Sequence, residues 1–232
     1  MFGLFNLGSL RLRCFPRWIA VLPLLSALAC NGAGAAVTVP NPLVDEPTAK
    51  SNSKSVVVIA GGCFWGVQAV FEHVKGVQSV TAGYAGGDAN TAHYQMVGTG
   101  TTGHAESVKI IYDPSKISYG QLLKVFFSVA HNPTELNRQG PDVGVEYRSV
   151  IFHANEEQRR IAQAYIDQIN QTKVCPKPIV TQVVPLKGFY PAEGYHQDYA
   201  AHHPDDAYIR FNDLPKIEHL REQLPELYVD TR

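Results

Sequence analysis

One cysteine in this chain has an address suited to chemistry. Cys63 stands in "GGCFWGVQAVFEHV", residues 61–74, between a glycine pair and the aromatics Phe64 and Trp65. From Phe64 the apolar residues fall at 64, 67, 70, 71 and 74, a helical stripe that ends before Gly76. The preceding "SVVVIAGG" is a short apolar run closed by Gly-Gly, the pattern of a buried strand. Cys63 is therefore expected at a strand-to-helix junction. Free backbone N–H groups and the helix dipole there favour a negative group and lower a thiol's pKa. The bland alternative is a small buried hydrophobe, which free cysteine often is. Phe64 lies on the helical stripe and reads equally well as core. Trp65 lies off it, beside the thiol, where a large ring suits an apolar substrate group.

A carboxyl is the second candidate. In "HAESVKIIYDP" the residues 106, 108, 110 and 112 share one face of a strand, so Glu106 ends an apolar row of Val, Ile and Tyr. Burial disfavours its charge and raises its pKa, which makes a carboxyl a general acid near neutral pH. A solvent-facing or ion-paired Glu is the alternative. Tyr84, Tyr94 and Tyr147 lie in or beside loops and strand starts, where a phenol can point into a cleft or fill the core. By alternation in "VEYRSVIFH", Tyr147 is expected to face inward with Ser149 and Ile151. Asp142 sits on a turn between Pro141 and Gly144, where Asp commonly serves the backbone.

The elements that must hold these residues follow from pattern. "GVQSVTAGYAGG" reads as a strand and a glycine-rich loop. Ser118 and Gln121 form a capping box for "YGQLLKVFFSVA", and Asn155 with Gln158 caps "EEQRRIAQAYIDQIN". "PIVTQVVPL" reads as a further strand, and "LPKIEHLREQLPEL" as a short helix in an otherwise irregular tail. Alternating strands and helices in one core-sized unit predict an α/β or α+β domain.

Composition narrows the class. Of 232 residues, 45% are hydrophobic and 18% charged, which is ordinary for a globular protein with a real core. Arg11, Arg13 and Arg17 are the only charges in the first 35 residues, so the rest of the chain is acidic and carries no basic stripe for nucleic acid. Those arginines and the apolar "WIAVLPLLSALAC" read as an export signal over residues 1–35, with small residues at Ala33–Ala35 for cleavage. This predicts an exported, periplasmic protein. "SALAC" also resembles a lipoprotein box with Cys30 as the lipidated residue, although Ala27 fits it poorly. Residues 36–54 read as a linker and 55–232 as the working domain. That domain holds two cysteines, Cys63 and Cys175, and no paired C-x-x-C or Cys/His spacing for zinc. His104-x-Glu106 lacks the P-C-x-x-C partner of a zinc deaminase, and no phosphate loop is present, so neither metal nor cofactor is expected.

Six blocks in order resemble the peptide methionine sulfoxide reductases of the A type: "GCFWG" at 62–66, "GYAGG" at 83–87, "TGHAE" at 102–106, "LNRQGPDVG" at 136–144, "YRSVIF" at 147–152 and "YPAEGYHQDY" at 190–199. The resemblance implies a compact two-layer α+β domain with a ferredoxin-like core and mixed sheet. It implies a thiol-dependent reductase acting on the S epimer of methionine sulfoxide, free or in oxidised proteins. On that resemblance Cys63 is the nucleophile that becomes a sulfenic acid, and Glu106 is the acid toward the sulfoxide oxygen. Tyr94 and Tyr147 are hydroxyl donors to it, Phe64 and Trp65 form the S-methyl pocket, and Asp142 orders the site.

Many members carry recycling cysteines in a glycine-rich tail. The chain after His203 has none, and Asn132 stands where Asp is frequent. Either Cys175, flanked by Lys173 and Lys177 on a proline-bounded loop, resolves the sulfenic acid, or an external thiol does. The second is favoured here, with a thioredoxin-like protein as one candidate reductant and a monomer as the expected state. A cysteine hydrolase or transferase would need a histidine base. A module that only binds oxidised methionine would show affinity without turnover.

Overall fold

Strand β1 (Ser55–Ala60) is built almost wholly of β-branched residues and lies inside a six-stranded sheet. The structure, a computed structural model, describes residues 1–2, 37–47, 49 and 53–230. Apart from residues 1–2, the segment read as an export signal, Cys30 included, lies outside the described residues. Along the chain follow α1 (Phe64–Glu72), β2 (Val77–Ala85), α2 (Tyr94–Val97), β3 (Ala105–Tyr112), α3 (Tyr119–Val125), β4 (Arg138–Gln139), β5 (Asp142–Val143), β6 (Val150–His153), α4 (Glu156–Thr172), β7 (Gln182–Pro185), β8 (Phe189–Pro191), α5 (Tyr199–His202) and α6 (Leu214–Gln223).

The sheet order is β7-β6-β1-β3-β2-β8, and β4 pairs with β5 in a separate small hairpin. Every neighbouring pair in the large sheet is antiparallel except β6 and β7, so the sheet is mixed, as expected. The inner four strands, β6-β1-β3-β2, with α1 and α3 in the crossover connections, form the ferredoxin-like unit, and α4 leads on from β6 to β7. Val57 and Ile59 of β1 pack with α1, α3 and α4 in the main core, whereas Val58 and Ala60 face a smaller cluster with Val150 and Phe152. Phe71 of α1 is fully buried, worth roughly 1.5–3 kcal/mol on the usual scale of apolar burial.

Local rules explain the helix starts. Both bonds of the Ser118–Gln121 capping box are present, and Asn155 accepts from the Gln158 N–H at 2.8 Å. The strand expected over "VEYRSVIFH" begins only at Val150, because Val145–Tyr147 is a 3₁₀ turn. The Arg148 guanidinium enforces it by donating to the carbonyls of Val145, His104 and Gly103 at 2.8–2.9 Å. The tail is more regular than expected: a π-helical turn, Ile209–Asp213, runs into α6. The segment read as a linker also packs. Val39 is buried, the Asp45 carboxylate accepts from Gly120 N–H at 2.8 Å, and Glu46 accepts from Tyr119 N–H at 2.9 Å. Two carboxylates thus meet the free N–H groups at the start of α3.

Candidate active site

Strand register brings the thiol and the acid together. The last paired position of β1 and β3 is Ile59–Val108, so two residues further on Gly61 comes level with Glu106. The chain then turns at Gly62, whose φ is +93°, and Cys63 caps α1. A side chain at Gly62 would suffer both that φ and a Cβ 2.6 Å from Gln139 Cβ, so glycine is required there. The Phe64 N–H in the first turn of α1 donates to Glu106 Oε2 at 3.1 Å, and the neighbouring Cys63 thiol lies close enough to the same carboxyl for each to shift the other's titration. Glu106 is almost wholly buried, and the row Glu106, Val108, Ile110, Tyr112 is buried throughout. Burial raises the Glu106 pKa to about 8, against the bond from Phe64; the charges of Asp142 and Glu146 raise it further.

The thiol departs from the expectation of a lowered pKa. Cys63 is buried, and burial pushes its pKa well up, with the charges of Glu106 and Asp213 adding to the rise. The Trp65 N–H and the Lys216 ammonium oppose this and do not overcome it. Desolvation outweighs a helix terminus because the terminus carries only a partial charge. At neutral pH the resting pair is therefore a thiol beside a neutral carboxylic acid.

The phenols divide by partner. Tyr84, directly across from Glu106 on β2, donates its hydroxyl to Glu193 at 2.8 Å and is fully buried. Glu193 also accepts from the Tyr94 N–H at 3.0 Å and so pins the start of α2. The Tyr94 and Tyr147 hydroxyls have no hydrogen-bond partner among the described residues. Burial and the nearby charges of Glu106 and Cys63 raise both pKa values, so both stay protonated donors. Tyr147 is half-buried on the 3₁₀ turn. Asp142, half-buried on β5, accepts from the Tyr208 hydroxyl at 2.5 Å; burial raises its pKa.

The aromatic wall is larger than Phe64 and Trp65. Phe64 is fully buried, with ring centroids 5.8 Å from Tyr84 and 5.1 Å from His196. Trp65 is half-buried and stacks on Tyr199 at 3.8 Å, with Tyr208 edge-on at 6.0 Å. Its indole N–H donates to His196 Nδ1 at 3.2 Å. An indole can only donate, so the His196 proton sits on Nε2, which is buried without a partner. Burial lowers the His196 pKa, so the ring stays neutral, and it lies 4.4 Å from the Tyr94 ring. His196 and Tyr199 fell within a quoted motif without being read as site residues. Tyr208 had no local signal at all.

The tail also reaches the thiol from a second direction. Asp213 is fully buried; its Oδ1 meets Lys216 Nζ at 3.0 Å, while Oδ2 has no partner. A Cβ on Gly66 would lie 2.0 Å from Asp213 Oδ1, so the pair is pressed onto the first turn of α1. A cavity of about 90 Å³ is walled by Cys63, Asp142, Tyr208, Asn212, Lys216 and His219, among others. Cys175 is a free, half-buried thiol against the main core, and burial raises its pKa; the lysines expected to favour its thiolate leave no mark on it. His104 is buried with Nδ1 accepting from Gly87 N–H at 3.2 Å and Nε2 on the Asp88 carbonyl at 3.0 Å, a clamp on the glycine loop.

Comparison with known proteins agrees with this geometry. The family model described as peptide methionine sulfoxide reductase matches residues 55–227. The chain is 57% identical over 185 residues to the peptide methionine sulfoxide reductase MsrA 2 of Mesorhizobium japonicum, covering 80% of this chain and 94% of that one. It is 49% identical over 189 residues to the MsrA 2 of Synechocystis sp., covering 80% and 87%. Among solved structures, reduced Mxr1 from Saccharomyces cerevisiae aligns at a TM-score of 0.58 and 31% identity, covering 65% of this chain and 86% of that one. Methionine sulfoxide reductase A of Corynebacterium diphtheriae aligns at 0.56 and 29%, covering 75% and 86%. A buried cysteine at a helix cap, a neutral carboxylic acid at the same cap and two free phenols thus sit in a chain whose match spans nearly the whole domain, and the chain belongs to the peptide methionine sulfoxide reductase family, A type.

Proposed function

We propose that this chain reduces the S epimer of methionine sulfoxide, free or in oxidised proteins, to methionine, with Cys63, Glu106, Tyr94 and Tyr147 at the reacting atoms. The observation that carries the reading is the buried Glu106 carboxyl set at the cap of α1 with Cys63, with the acid held neutral up to about pH 8. A sulfoxide sulfur is a poor electrophile until its oxygen is protonated or hydrogen-bonded. A carboxylic acid and two phenols do this without placing negative charge in the path of the incoming sulfur. Cys63 Sγ attacks the sulfoxide sulfur. Glu106 gives its proton to the oxygen and takes the thiol's. The Sγ–S bond formed by the attack and the substrate's S–O bond then break as the oxygen passes to Cys63, so the sulfoxide sulfur gains the two electrons that the thiol sulfur loses. The products are methionine and a Cys63 sulfenic acid.

Phe64 and Trp65 offer apolar contact to the S-methyl group, and Asp142 orders the loop through Tyr208. An external thiol, from a thioredoxin-like dithiol protein or a small molecule, then returns Cys63 to the thiol. The absence of a cysteine after His203 supports this over an internal disulfide. A monomer is the proposed working form. The basic and apolar pattern of residues 1–35 supports export to the periplasm, and mass spectrometry of the protein from its host tests it: an intact Met1 rejects export, and a diacylglyceryl Cys30 would make it a lipoprotein.

Incubating the protein with each epimer and dithiothreitol tests the activity. Methionine should form from the S epimer alone. Turnover of the R epimer, or of neither, would overturn the reading.

A further inference from the structure

The sulfenic acid left on Cys63 must be reduced, and the geometry of that step differs from the first. The oxygen arrives on the side of Glu106, Tyr94 and Tyr147, where the acid and the free phenols lie. Displacement at a divalent sulfur places the incoming atom in line with the leaving one. The reducing sulfur therefore needs an approach other than the one the sulfoxide used.

The cavity of about 90 Å³ supplies such an approach. Cys63 is one of its walls, and none of Phe64, Trp65, Tyr94, Glu106 or Tyr147 is. Lys216 lines it, with its side chain 23% exposed, and its ammonium is held by Asp213, which is itself fully buried. The Asp213 oxygen that Lys216 does not meet is buried with no hydrogen-bond partner among the described residues, so the ammonium is the group that holds this carboxylate, and its charge reaches the Cys63 thiol. The pair presses on the backbone of Gly66, three residues from Cys63, which leaves it little room to drift.

We propose that this cavity is the inlet for the reducing thiol and that Lys216 receives its sulfur as a thiolate. The idea rests on the reductase reading above. In the step, the thiolate sulfur forms an S–S bond to Cys63 and the Cys63 S–O bond breaks. The hydroxide takes a proton from Glu106 and leaves as water. The incoming sulfur is oxidised and the sulfenic sulfur reduced to the disulfide level. A second thiol of the same dithiol, or of a second molecule, then releases Cys63. Besides Cys63, the other titratable groups facing the cavity are Asp142, Glu135, His131, His219 and Tyr208. Lys216 is its lysine, set against these carboxylates.

The two half-reactions separate in a mixing experiment. The reduced protein is given excess S-sulfoxide without thiol, and the methionine burst is timed. 2-Mercaptoethanol, or in a second arm a reduced thioredoxin-type dithiol protein, is then added, and loss of the trappable sulfenic acid is followed. Lys216→Met should slow the thiol step ~10-fold or more at neutral pH, because a cation within a few ångströms lowers a thiol's pKa by one unit or more. It should slow the burst far less, and the pH profile of the thiol step should move upward. Lys216→Arg should restore most of the rate. Dependence in both arms marks a shared thiol inlet, and dependence in one arm alone identifies the source the inlet serves. If Lys216→Met folds poorly, Lys216→Gln keeps an N–H donor toward Asp213 while removing the charge, and should show the same split. Equal slowing of both steps, no slowing of the thiol step in either arm, or a Cys63–Cys175 disulfide formed before thiol is added would overturn the proposal. A wild-type protein with no methionine burst would sink the reductase reading itself.

Discussion

The Tyr208 hydroxyl donates to the Asp142 carboxylate at 2.5 Å, joining the C-terminal tail to the β4–β5 hairpin across 66 positions of sequence. The same tyrosine ring meets the edge of Trp65. One side chain thus ties the tail to the hairpin on one side of the thiol and to α1 on the other. Tyr208→Phe keeps the ring and removes the bond. A hydrogen bond to a charged group is worth about 1.5–3 kcal/mol, so the midpoint of urea unfolding should fall by a corresponding amount. KM for a sulfoxide peptide should rise more than kcat falls. Unchanged stability and kinetics would show that the contact is idle in solution.

Cys63→Ser should release no methionine in a single-turnover assay while its circular dichroism matches wild type. A hydroxyl is a far weaker nucleophile, and the smaller oxygen leaves the buried site intact. Methionine release near the wild-type rate would remove Cys63 from the mechanism.

Glu106→Gln should lower the rate of the methionine burst by about 10²–10⁴-fold, with a smaller effect on substrate affinity. The wild-type pH profile follows from the raised pKa. Below about 8 the carboxyl holds its proton and the burst rate is flat; above it the proton is lost and the rate falls. The glutamine variant should lack that falling limb. A wild-type burst that rises steadily through pH 9 would contradict the acid role.

Gly66→Ala should destabilise the tail. Its Cβ would lie 2.0 Å from Asp213 Oδ1 and 2.7 Å from Lys216 Nζ, and the carboxylate is fully buried. Overpacking of this kind costs about 1–3 kcal/mol. Hydrogen exchange should quicken in Ile209–Gln223 before it quickens in the sheet. Exchange at the wild-type rate across that stretch would show that the ion pair moves aside freely.

Glu72 predicts an alkaline weakness. Burial, then a hydrogen bond and charge repulsion from Asp198, raise its pKa to about 8, and Gln68 opposes this while donating to Asp198 at 2.9 Å. The unfolded chain gives up that proton near its ordinary pKa of 4.5. Stability linked to Glu72 is therefore full below pH 4.5 and drains away up to about pH 8. Glu72→Gln should gain on wild type between pH 5 and pH 9 in paired urea titrations. Glu106 weakens both proteins in the same window, so only the difference between them bears on Glu72. A difference that stays constant with pH would refute the linkage.

Much of this protein is legible along the chain because it obeys short-range rules. The start of α1 after Gly-Gly, the Ser118 and Asn155 caps and the buried face of Glu106, Val108, Ile110 and Tyr112 depend on neighbours within a few residues. The six motif blocks name the family by the same local means, and the pairing of Gly61 with Glu106 follows once β1 and β3 are set side by side. The tertiary structure decided what depends on distance through space. A helix cap predicts an acidic thiol, but the Cys63 pKa rises because the whole core excludes water and Asp213, 150 positions later, adds its charge. Tyr147 reads as strand until Arg148 binds carbonyls on another strand's approach and folds it into a turn. Trp65 gains Tyr208 across its ring, and the cavity beside the thiol gains Lys216, from a tail whose own pattern announces only a short helix. Burial and electrostatics sum over every group nearby in three dimensions, so they emerge only when the chain has closed on itself.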